Sequence, residues 1–334
     1  MSRSPSARLV FALAAPLFAA CASPEAEIDA IEADDAAASA DFVRSGNPYE
    51  RGFTDADFPR VQELADGVYS YEQIHVAGGE TITTVSLFVV TSEGVLVADG
   101  QESVEETKRL IDTIAGITDQ PITHMVISSD HGDHSAGNSA FPPEAAFFAH
   151  PTSAATLEAQ ASNPTRPDTA PPVVLPNRLV PDRETIELGG REIHLVHLGR
   201  AHTGGDLLVY VPDGKVLFMS ETYLNRIFPA MRSAHPSEWV AMVEAAQAMD
   251  VDVYVPGHGT VETPEVLAEE LETYRQAMVA VIAEATRLHD LGLTLEEALE
   301  QAEFGDLESW TLSAGQGPTA VRRVYMELNG ELPE

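Results

Sequence analysis

Four histidines lie in glycine-containing turns of this sequence, with acids near them, in an order that suits metal binding. The cluster begins in "SDHGDH", continues in "GRAHTGGD" and "KVLFMSE", and closes in "VPGHG". Imidazole nitrogen and carboxylate oxygen are ligands for zinc, and bound zinc lowers the pKa of water to about 7. The pattern therefore predicts a zinc site that supplies hydroxide for hydrolysis. The candidate ligands are His131, Asp133, His134, His202, Glu221 and His258.

Short apolar runs precede these turns, and helical patterns lie between them. The runs 67–76 and 84–90 predict a hairpin, and further strands are predicted at 94–100, 122–129, 145–150 and 251–259. Two more hairpins are predicted over 184–199 and 206–221, and helices over 103–116 and 237–249. Layers of strands interleaved with helices indicate an α/β sandwich with the candidate ligands at strand ends.

The remainder of the chain is predicted to be helical. Apolar residues recur every three or four positions between 267 and 288, which is typical of a helix that buries one stripe. Thr294 and Glu297 form a capping-box pattern, and a last short helix is predicted over 319–328. We therefore predict a main domain over 48–260 and a helical extension, 261–334, packed on it.

The order and context of these motifs resemble the metallo-β-lactamase superfamily over most of 60–260. The resemblance implies an αββα sandwich followed, in a subgroup, by carboxyl-terminal helices. It also implies that His131 and His202 belong to a first metal site, and that Asp133, His134 and His258 belong to a second. In the same resemblance, Glu221 stands at the position of the bridging ligand, and Asp99 supports the metal loop from behind. Ser129 stands in place of a third histidine of the first site.

Two positions depart from the family pattern. Ser129 stands where the first site has another histidine, and Glu221 replaces an aspartate that is one methylene shorter. Serine is a poor zinc ligand, and Asp130 is an unsuitable substitute because alternation in an extended segment turns it away from 129 and 131. We therefore predict a weakened first site and an intact second site, with one or two zinc ions per chain. The missing histidine also counts against an iron-dependent dioxygenase.

The reaction that this chemistry favours is hydrolysis of a carbonyl compound by metal-bound hydroxide, with Asp133 holding the metal and orienting the hydroxide. A β-lactam, a lactone, an ester or a thioester would suit. The alternatives are a sulfatase or phosphoesterase of the same superfamily, and a non-catalytic surface lipoprotein that binds metal. A serine hydrolase is disfavoured because no G-x-S-x-G elbow is present.

The amino terminus predicts export. An apolar run over 9–20 follows Arg3 and Arg8, and "LFAAC" resembles the lipobox that precedes an acylated cysteine. We therefore predict a signal peptide over 1–20, lipidation at Cys21 and a disordered acidic tether over 21–47. The alternative is an ordinary secretory signal with an incidental cysteine. The expected location is the periplasm, with the anchor in the outer membrane of a Gram-negative bacterium.

The negative net charge limits the classes of molecule that the chain can bind. The chain has a formal net charge of −34, with 19 Lys and Arg against 53 Asp and Glu. Such a surface repels a phosphate backbone and excludes nucleic-acid binding. Cys21 is the single cysteine, so an internal disulfide is also excluded. We expect a small-molecule substrate, and contact with the membrane only through the lipid anchor.

Overall fold

The computed structural model describes residues 43–333. The predicted signal peptide, Cys21 and most of the predicted tether lie outside the described residues. From Arg44 onward the described residues form one compact unit. Within it, no helix is both long enough and apolar enough to cross a membrane.

The strands form a mixed, curled sheet with the order β7-β6-β5-β4-β3-β12-β11-β10-β9-β8, and β2 pairs with β1 and β3. Strands β4 to β7 are parallel neighbours, as are β11 and β12, and the other pairs are antiparallel. The two halves of the sheet join where β12 meets β3, at His258 and Thr84. The strands are β1 Arg60–Ala65, β2 Val68–Ala77, β3 Glu80–Thr91, β4 Gly94–Ala98, β5 Ile122–Val126, β6 Ala146–Ala149, β7 Arg178–Leu179, β8 Arg183–Leu188, β9 Arg191–Val196, β10 Leu208–Val211, β11 Val216–Leu224 and β12 Val253–His258.

Seven α-helices complete the described chain, and the first half shows how they cover the sheet. Successive strand residues point to opposite faces, so Leu87 and Leu96 join the large core cluster, while Phe88 joins a second cluster that includes Leu110 of α1. The structure is thus the predicted αββα sandwich followed by carboxyl-terminal helices. The helices are α1 Val104–Ile117, α2 Gly132–Ser135, α3 Pro151–Ala161, α4 Pro236–Gln247, α5 Pro264–Asp290, α6 Leu295–Gln301 and α7 Ser313–Leu328.

Local signals explain several of these boundaries. Ser103 caps α1 by accepting a hydrogen bond from the Glu106 backbone N–H, and the capping box predicted at Thr294 and Glu297 is present at the start of α6. The β2–β3 hairpin turns through Gly78 and Gly79, whose φ angles are +58° and +87°. Glycine adopts that left-handed region without the steric cost that a side chain brings.

Two of the boundaries that differ from the sequence-based expectation matter for the candidate site. Glu221 does not end its strand, because β11 continues to Leu224 after a shift in its pairing with β12 at Ser220. Helix α7 begins at Ser313 rather than at 319, and Leu312 precedes it with φ +67°. Both differences bring additional residues to the candidate site.

Candidate metal centre

The loop after β5 is fixed from behind by Asp99, which follows β4. One carboxylate oxygen of Asp99, Oδ1, accepts hydrogen bonds from the backbone N–H groups of Ser128 at 2.8 Å and Ser129 at 3.4 Å. Its other oxygen accepts one from Ser220 Oγ at 2.5 Å and lies 3.1 Å from His134 Nδ1. A single buried carboxylate therefore joins the loop, one histidine of the site and strand β11.

The first group of potential ligands comes from the helix after β5, from within β11 and from the end of β12. Asp133, His134, Glu221 and His258 bring one ligand atom each within 4.8 Å of one another. His258 Nε2 lies 3.1 Å from His134 Nε2, 3.1 Å from Asp133 Oδ2 and 3.5 Å from Glu221 Oε1. His258 Nδ1 lies 2.8 Å from the Thr83 carbonyl oxygen, which directs Nε2 towards the centre. We call these four residues the four-ligand group; they include the predicted second site.

The second group contains His131, His202 and Glu221 and includes the predicted first site. His202 Nε2 lies 3.1 Å from His131 Nδ1 and 3.2 Å from Glu221 Oε1, and His131 Nδ1 lies 2.9 Å from Glu221 Oε2. The His202 ring packs nearly perpendicular to that of buried Trp239, with 5.1 Å between ring centroids. We call these residues the three-ligand group, and Glu221 is common to both groups.

Ser129 belongs to neither group. Its Oγ donates a hydrogen bond to Glu221 Oε2 and accepts one at 3.3 Å from the backbone N–H of His131. Asp130 also lies outside both groups, in agreement with the alternation argument, and it lines a neighbouring cavity. The structure thus places all the predicted ligands together, with Ser129 against the shared carboxylate.

Close packing of opposite charges shifts the pKa values of the site. Burial alone would lower the pKa of His131, but the Glu221 carboxylate raises it to about 9. Burial likewise opposes protonation of His258, yet hydrogen bonds to Asp133 and Glu221 raise its pKa to about 10. Burial would raise the pKa of Glu221, but His131 and His202 hold it well below its usual range.

The donor set fits zinc. In each group two imidazole nitrogens lie 3.1 Å from each other, and a carboxylate oxygen lies beside them. Two nitrogen ligands of a tetrahedral zinc ion lie about 3.3 Å apart, because each Zn–N distance is about 2.0–2.1 Å. The nitrogens are therefore spaced as ligands of one ion would be. Oxygen and nitrogen donors without thiolate also agree with a hydrolytic centre.

A cavity of about 580 Å³ opens over both groups. Its floor includes His131, Asp133, His202, Glu221 and His258. The segment 222–232, which includes the end of β11, supplies part of the wall. The wall residues from β2, β3, this segment and the carboxyl-terminal helices are His75, Ala77, Ile82, Leu224, Ile227, Ala230, Arg232, Leu312, Gln316 and Thr319.

His75, on β2, was not among the predicted ligands, and the partner of its side chain was missed. His75 Nδ1 lies 2.6 Å from Glu102 Oε2, and its Nε2 lies 3.9 Å from Asp133 Oδ2. The contribution of Leu312, Gln316 and Thr319 was also missed. Backbone N–H of Leu312 donates to Glu80 Oε1 at 3.1 Å, which holds the carboxyl-terminal segment against the β2–β3 hairpin.

Comparisons with known proteins identify the family to which the chain belongs. A family model described as the metallo-β-lactamase superfamily matches residues 79–258. A linear primary-alkylsulfatase from Pseudomonas sp. is 23% identical over 256 residues, which cover 64% of this chain and 48% of the relative. A type 2 metallo-β-lactamase from Bacillus sp. is 21% identical over 220 residues, covering 64% and 80%. The chain thus spans about half the length of the alkylsulfatase.

Solved structures share the fold. A metallo-β-lactamase from Pontibacter korlensis superposes with a TM-score of 0.56 at 21% identity, covering 65% of this chain and 98% of that one. A stereoselective inverting sec-alkylsulfatase from Pseudomonas sp. gives a TM-score of 0.60 at 18% identity, covering 80% of this chain and 49% of the other. Both structures share the fold, and the sulfatase structure aligns with a larger part of this chain than the β-lactamase structure does.

Proposed function

This chain belongs to the metallo-β-lactamase superfamily, whose model matches more than half of it, and from that membership we propose a zinc-dependent hydrolase that cleaves a carbonyl compound. The substrate class is a β-lactam, a lactone, an ester or a thioester. The observation that carries the proposal is the convergence of His131, Asp133, His202, Glu221 and His258 on the floor of one cavity.

The proposed roles follow from the positions of the side chains. When bound, zinc lowers the pKa of a water molecule to about 7 and polarises a carbonyl group. We assign the tighter site to the four-ligand group, because it offers one donor more than the three-ligand group. Asp133 is the catalytic residue in this proposal, since its carboxylate lines the cavity and can accept a hydrogen bond from the attacking water.

The proton that the attacking water gives up must reach the leaving group. We assign its transfer to His75, whose Nε2 can first accept the proton because burial lowers the pKa of this imidazole. Its Nε2 faces the cavity side of Asp133, while Nδ1 is held by Glu102. A histidine oriented by a carboxylate at one nitrogen can move a proton at the other. The distance of 3.9 Å between His75 Nε2 and Asp133 Oδ2 lets both act on one bound substrate.

A panel of substrates tests the proposal. The protein is purified without chelator, loaded with zinc and offered a β-lactam, a lactone, an ester, a thioester and an alkyl sulfate. We expect turnover of at least one carbonyl substrate, loss on chelation, recovery with zinc and loss in Asp133→Asn. Failure on every carbonyl substrate by a zinc-loaded protein would contradict the proposal, and failure on the alkyl sulfate as well would favour the non-catalytic metal-binding alternative.

Sulfate-ester hydrolysis is the second candidate. The alkylsulfatase structure covers 80% of this chain, against 65% for the β-lactamase structure. The same panel separates the candidates, because turnover of the alkyl sulfate without turnover of any carbonyl substrate would replace the carbonyl proposal with this one.

We also propose that the protein is exported and lipid-anchored at Cys21, which the lipobox-like "LFAAC" supports. Metabolic labelling with a fatty acid tests this. Label should enter the natural protein and should be absent from Cys21→Ser, and equal labelling of both would contradict acylation at this position.

A further inference from the structure

The turn after β12 begins at the ligand His258, and hydrogen bonds hold its backbone residue by residue. The His258 carbonyl oxygen accepts a hydrogen bond from the Asn225 backbone N–H at 2.9 Å. The carbonyl oxygen of Gly259 accepts one from Thr83 Oγ1 at 2.6 Å, and that of Thr260 accepts one from Asn225 Nδ2 at 2.8 Å. Because Thr83 lies on β3 and Asn225 directly follows β11, the turn is tied to both strands beside β12.

Val261, the next residue, is held by side chains of β1 and β2. Val261 is buried, and its N–H donates to Glu72 Oε2 at 3.1 Å. Its carbonyl oxygen accepts hydrogen bonds from Arg60 Nη2 at 2.9 Å and from Gln62 Nε2 at 3.0 Å. These three side chains do not line the cavity over the metal centre, so they act on it only through the backbone of the turn.

Glu72 joins this group together. Its side chain is fully buried, and Oε1 accepts hydrogen bonds from Arg60 Nη1 at 2.6 Å and from Gln62 Nε2 at 3.1 Å. With the Val261 N–H on Oε2, every group bonded to the carboxylate is a donor. A protonated carboxyl group needs an acceptor for its own hydrogen, so protonation of Glu72 weakens this arrangement.

The charges around Glu72 come from β1 and from the segments next to it. Arg60 faces the carboxylate directly, and Arg51, from the segment before β1, also attracts it. Glu262, the residue after Val261, pairs with Arg51, with 2.5 Å between Oε1 and Nη2. Burial raises the pKa of Glu72 to about 7, although Arg60 opposes the increase. This carboxyl group therefore changes charge in the neutral pH range.

We propose that Glu72 is a positioning residue for the metal centre, because it fixes Val261 and thereby the turn that carries His258. The ionised carboxylate holds the turn, and the four-ligand group then binds zinc more tightly than it does when the carboxyl group is neutral. The inference rests on the zinc site of the proposed function and does not depend on which substrate is cleaved. Zinc affinity thus depends on a group that belongs to neither ligand group.

Competition with a zinc chelator at pH 6 and at pH 8 tests the inference in the natural protein, Glu72→Gln and Glu187→Gln. Glutamine has the shape of a neutral carboxyl group, and Glu187 is an exposed residue of β8 that controls for the loss of one charge. Dividing the dissociation constant of each variant by that of the natural protein cancels the protons that the ligand histidines release in both. We expect a ratio of about five for Glu72→Gln at pH 8 and of about one at pH 6. Glu187→Gln should give about one at both pH values.

An unchanged zinc affinity in Glu72→Gln at pH 8, or an equal loss at both pH values, would overturn the inference. Gln62→Met is the second variant, because it removes hydrogen bonds to Glu72 and Val261 but no titrating group. Its zinc affinity should fall about threefold, by the same factor at both pH values. If Glu72→Gln does not fold, Gln62→Met carries the test, and an unchanged affinity in it would overturn the inference.

Amide hydrogen exchange in the metal-free full chain separates this inference from the proposed function. The Asn225 N–H donates to the His258 carbonyl oxygen, so its exchange rate reports on the turn without any metal. We expect this amide to exchange about fivefold faster in Glu72→Gln than in the natural protein at pH 8, and equally fast in both at pH 6. Equal rates at pH 8 would overturn the inference. A natural protein that binds no zinc would contradict the proposed function, whereas the difference in exchange would still support the role of Glu72 in the turn.

Discussion

Ser129 Oγ donates a hydrogen bond to Oε2 of Glu221, the carboxylate that belongs to both ligand groups. Ser129 is fully buried, so this contact is shielded from water. Glu221 reaches Ser129 on one side and the imidazoles of both groups on the other, which its extra methylene relative to aspartate permits. The two departures from the family pattern therefore meet in space, and we interpret them as one coupled change.

This coupling predicts how the metal content changes when the family's residues, His and Asp, are restored at positions 129 and 221. Ser129→His alone should add no second tightly held zinc, because an imidazole at 129 needs the space that the Glu221 carboxylate occupies. The double variant Ser129→His/Glu221→Asp should hold about two zinc ions per chain, since the shorter carboxylate makes room. Zinc is counted by mass spectrometry, with Glu221→Asp as the matched single variant. Two tightly held ions in Ser129→His alone would contradict the coupling.

Removal of Asp99 should weaken both the fold and the metal centre. Asp99→Ala leaves the buried donors of Ser128 and Ser220 without an acceptor, and we expect the free energy of unfolding of the metal-free protein to fall by about 3 kcal/mol. Zinc affinity should fall by about tenfold or more, because His134 loses the carboxylate beside its Nδ1.

Urea unfolding and competition with a zinc chelator measure these two effects of Asp99→Ala. Asp99→Asn is the control, because it retains an oxygen acceptor and tolerates the observed φ of +60°. A metal affinity that is unchanged in Asp99→Ala would show that Asp99 does not support the ligands.

Zinc binding should release protons and strengthen as the pH rises. In the metal-free protein His131 and His258 have pKa values of about 9 and about 10, so both are protonated at neutral pH and must lose a proton to bind metal. Calorimetry in two buffers of different ionisation enthalpy measures the protons released. Binding without proton release at pH 7, or an affinity that is independent of pH between 7 and 9, would contradict this prediction.

The same pKa shifts determine whether the metal-free protein becomes more or less stable as the pH rises. Both folded-state values lie above the unfolded value of about 6.5, so these histidines stabilise the fold below pH 6.5. That contribution is lost as the pH rises through about 9 and 10. The melting temperature of the metal-free protein should therefore decrease over this range, and an increase would contradict the assigned charges.

His75→Gln should lower kcat without removing metal. Loss of a proton donor to the leaving group typically costs about a hundredfold or more in rate. Zinc content should be unchanged, because His75 belongs to neither ligand group. The control is His194→Gln, since His194 lies on β9 and does not line the cavity. Loss of zinc in His75→Gln would assign His75 a structural role at the metal instead.

The sequence predicted most elements, because local signals mark them. Ser103 marks the beginning of α1, and the apolar stripe between 267 and 288 matches α5, which runs from Pro264 to Asp290. The histidine ligands were found in the same way, since each follows a run typical of a strand and lies in a glycine-containing turn, and Glu221 was found from its place in such a run.

Other features depend on contacts between distant parts of the chain. The start of α7 was missed because Gly315, Gly317 and Pro318 are poor helix formers, and packing overrides their propensity. A side chain at Gly317 would approach Phe304 to 2.9 Å, which explains glycine there. Leu312 is held at the cavity by a hydrogen bond from its backbone N–H to the side chain of Glu80, which lies 232 positions earlier in the sequence. No local pattern encodes that contact.

The close approach of β11 and β12 is a further example. A Cβ at Gly257 would lie 2.3 Å from the Ser220 carbonyl carbon, so glycine is required where Glu221 and His258 are brought together. The turn "VPGHG" indicated a metal ligand, but it gave no indication of which backbone would lie against it.

Metal content of the purified full chain tests the central claim, that the four-ligand group holds zinc more tightly than the three-ligand group. The protein is dialysed against graded chelator, and zinc is counted by mass spectrometry in the natural protein, Asp133→Ala, His258→Ala and His202→Ala. We predict that about one zinc per chain survives moderate chelator in the natural protein and in His202→Ala, and that it is lost in Asp133→Ala and His258→Ala. Retention of zinc in Asp133→Ala and His258→Ala together with its loss in His202→Ala would contradict the claim.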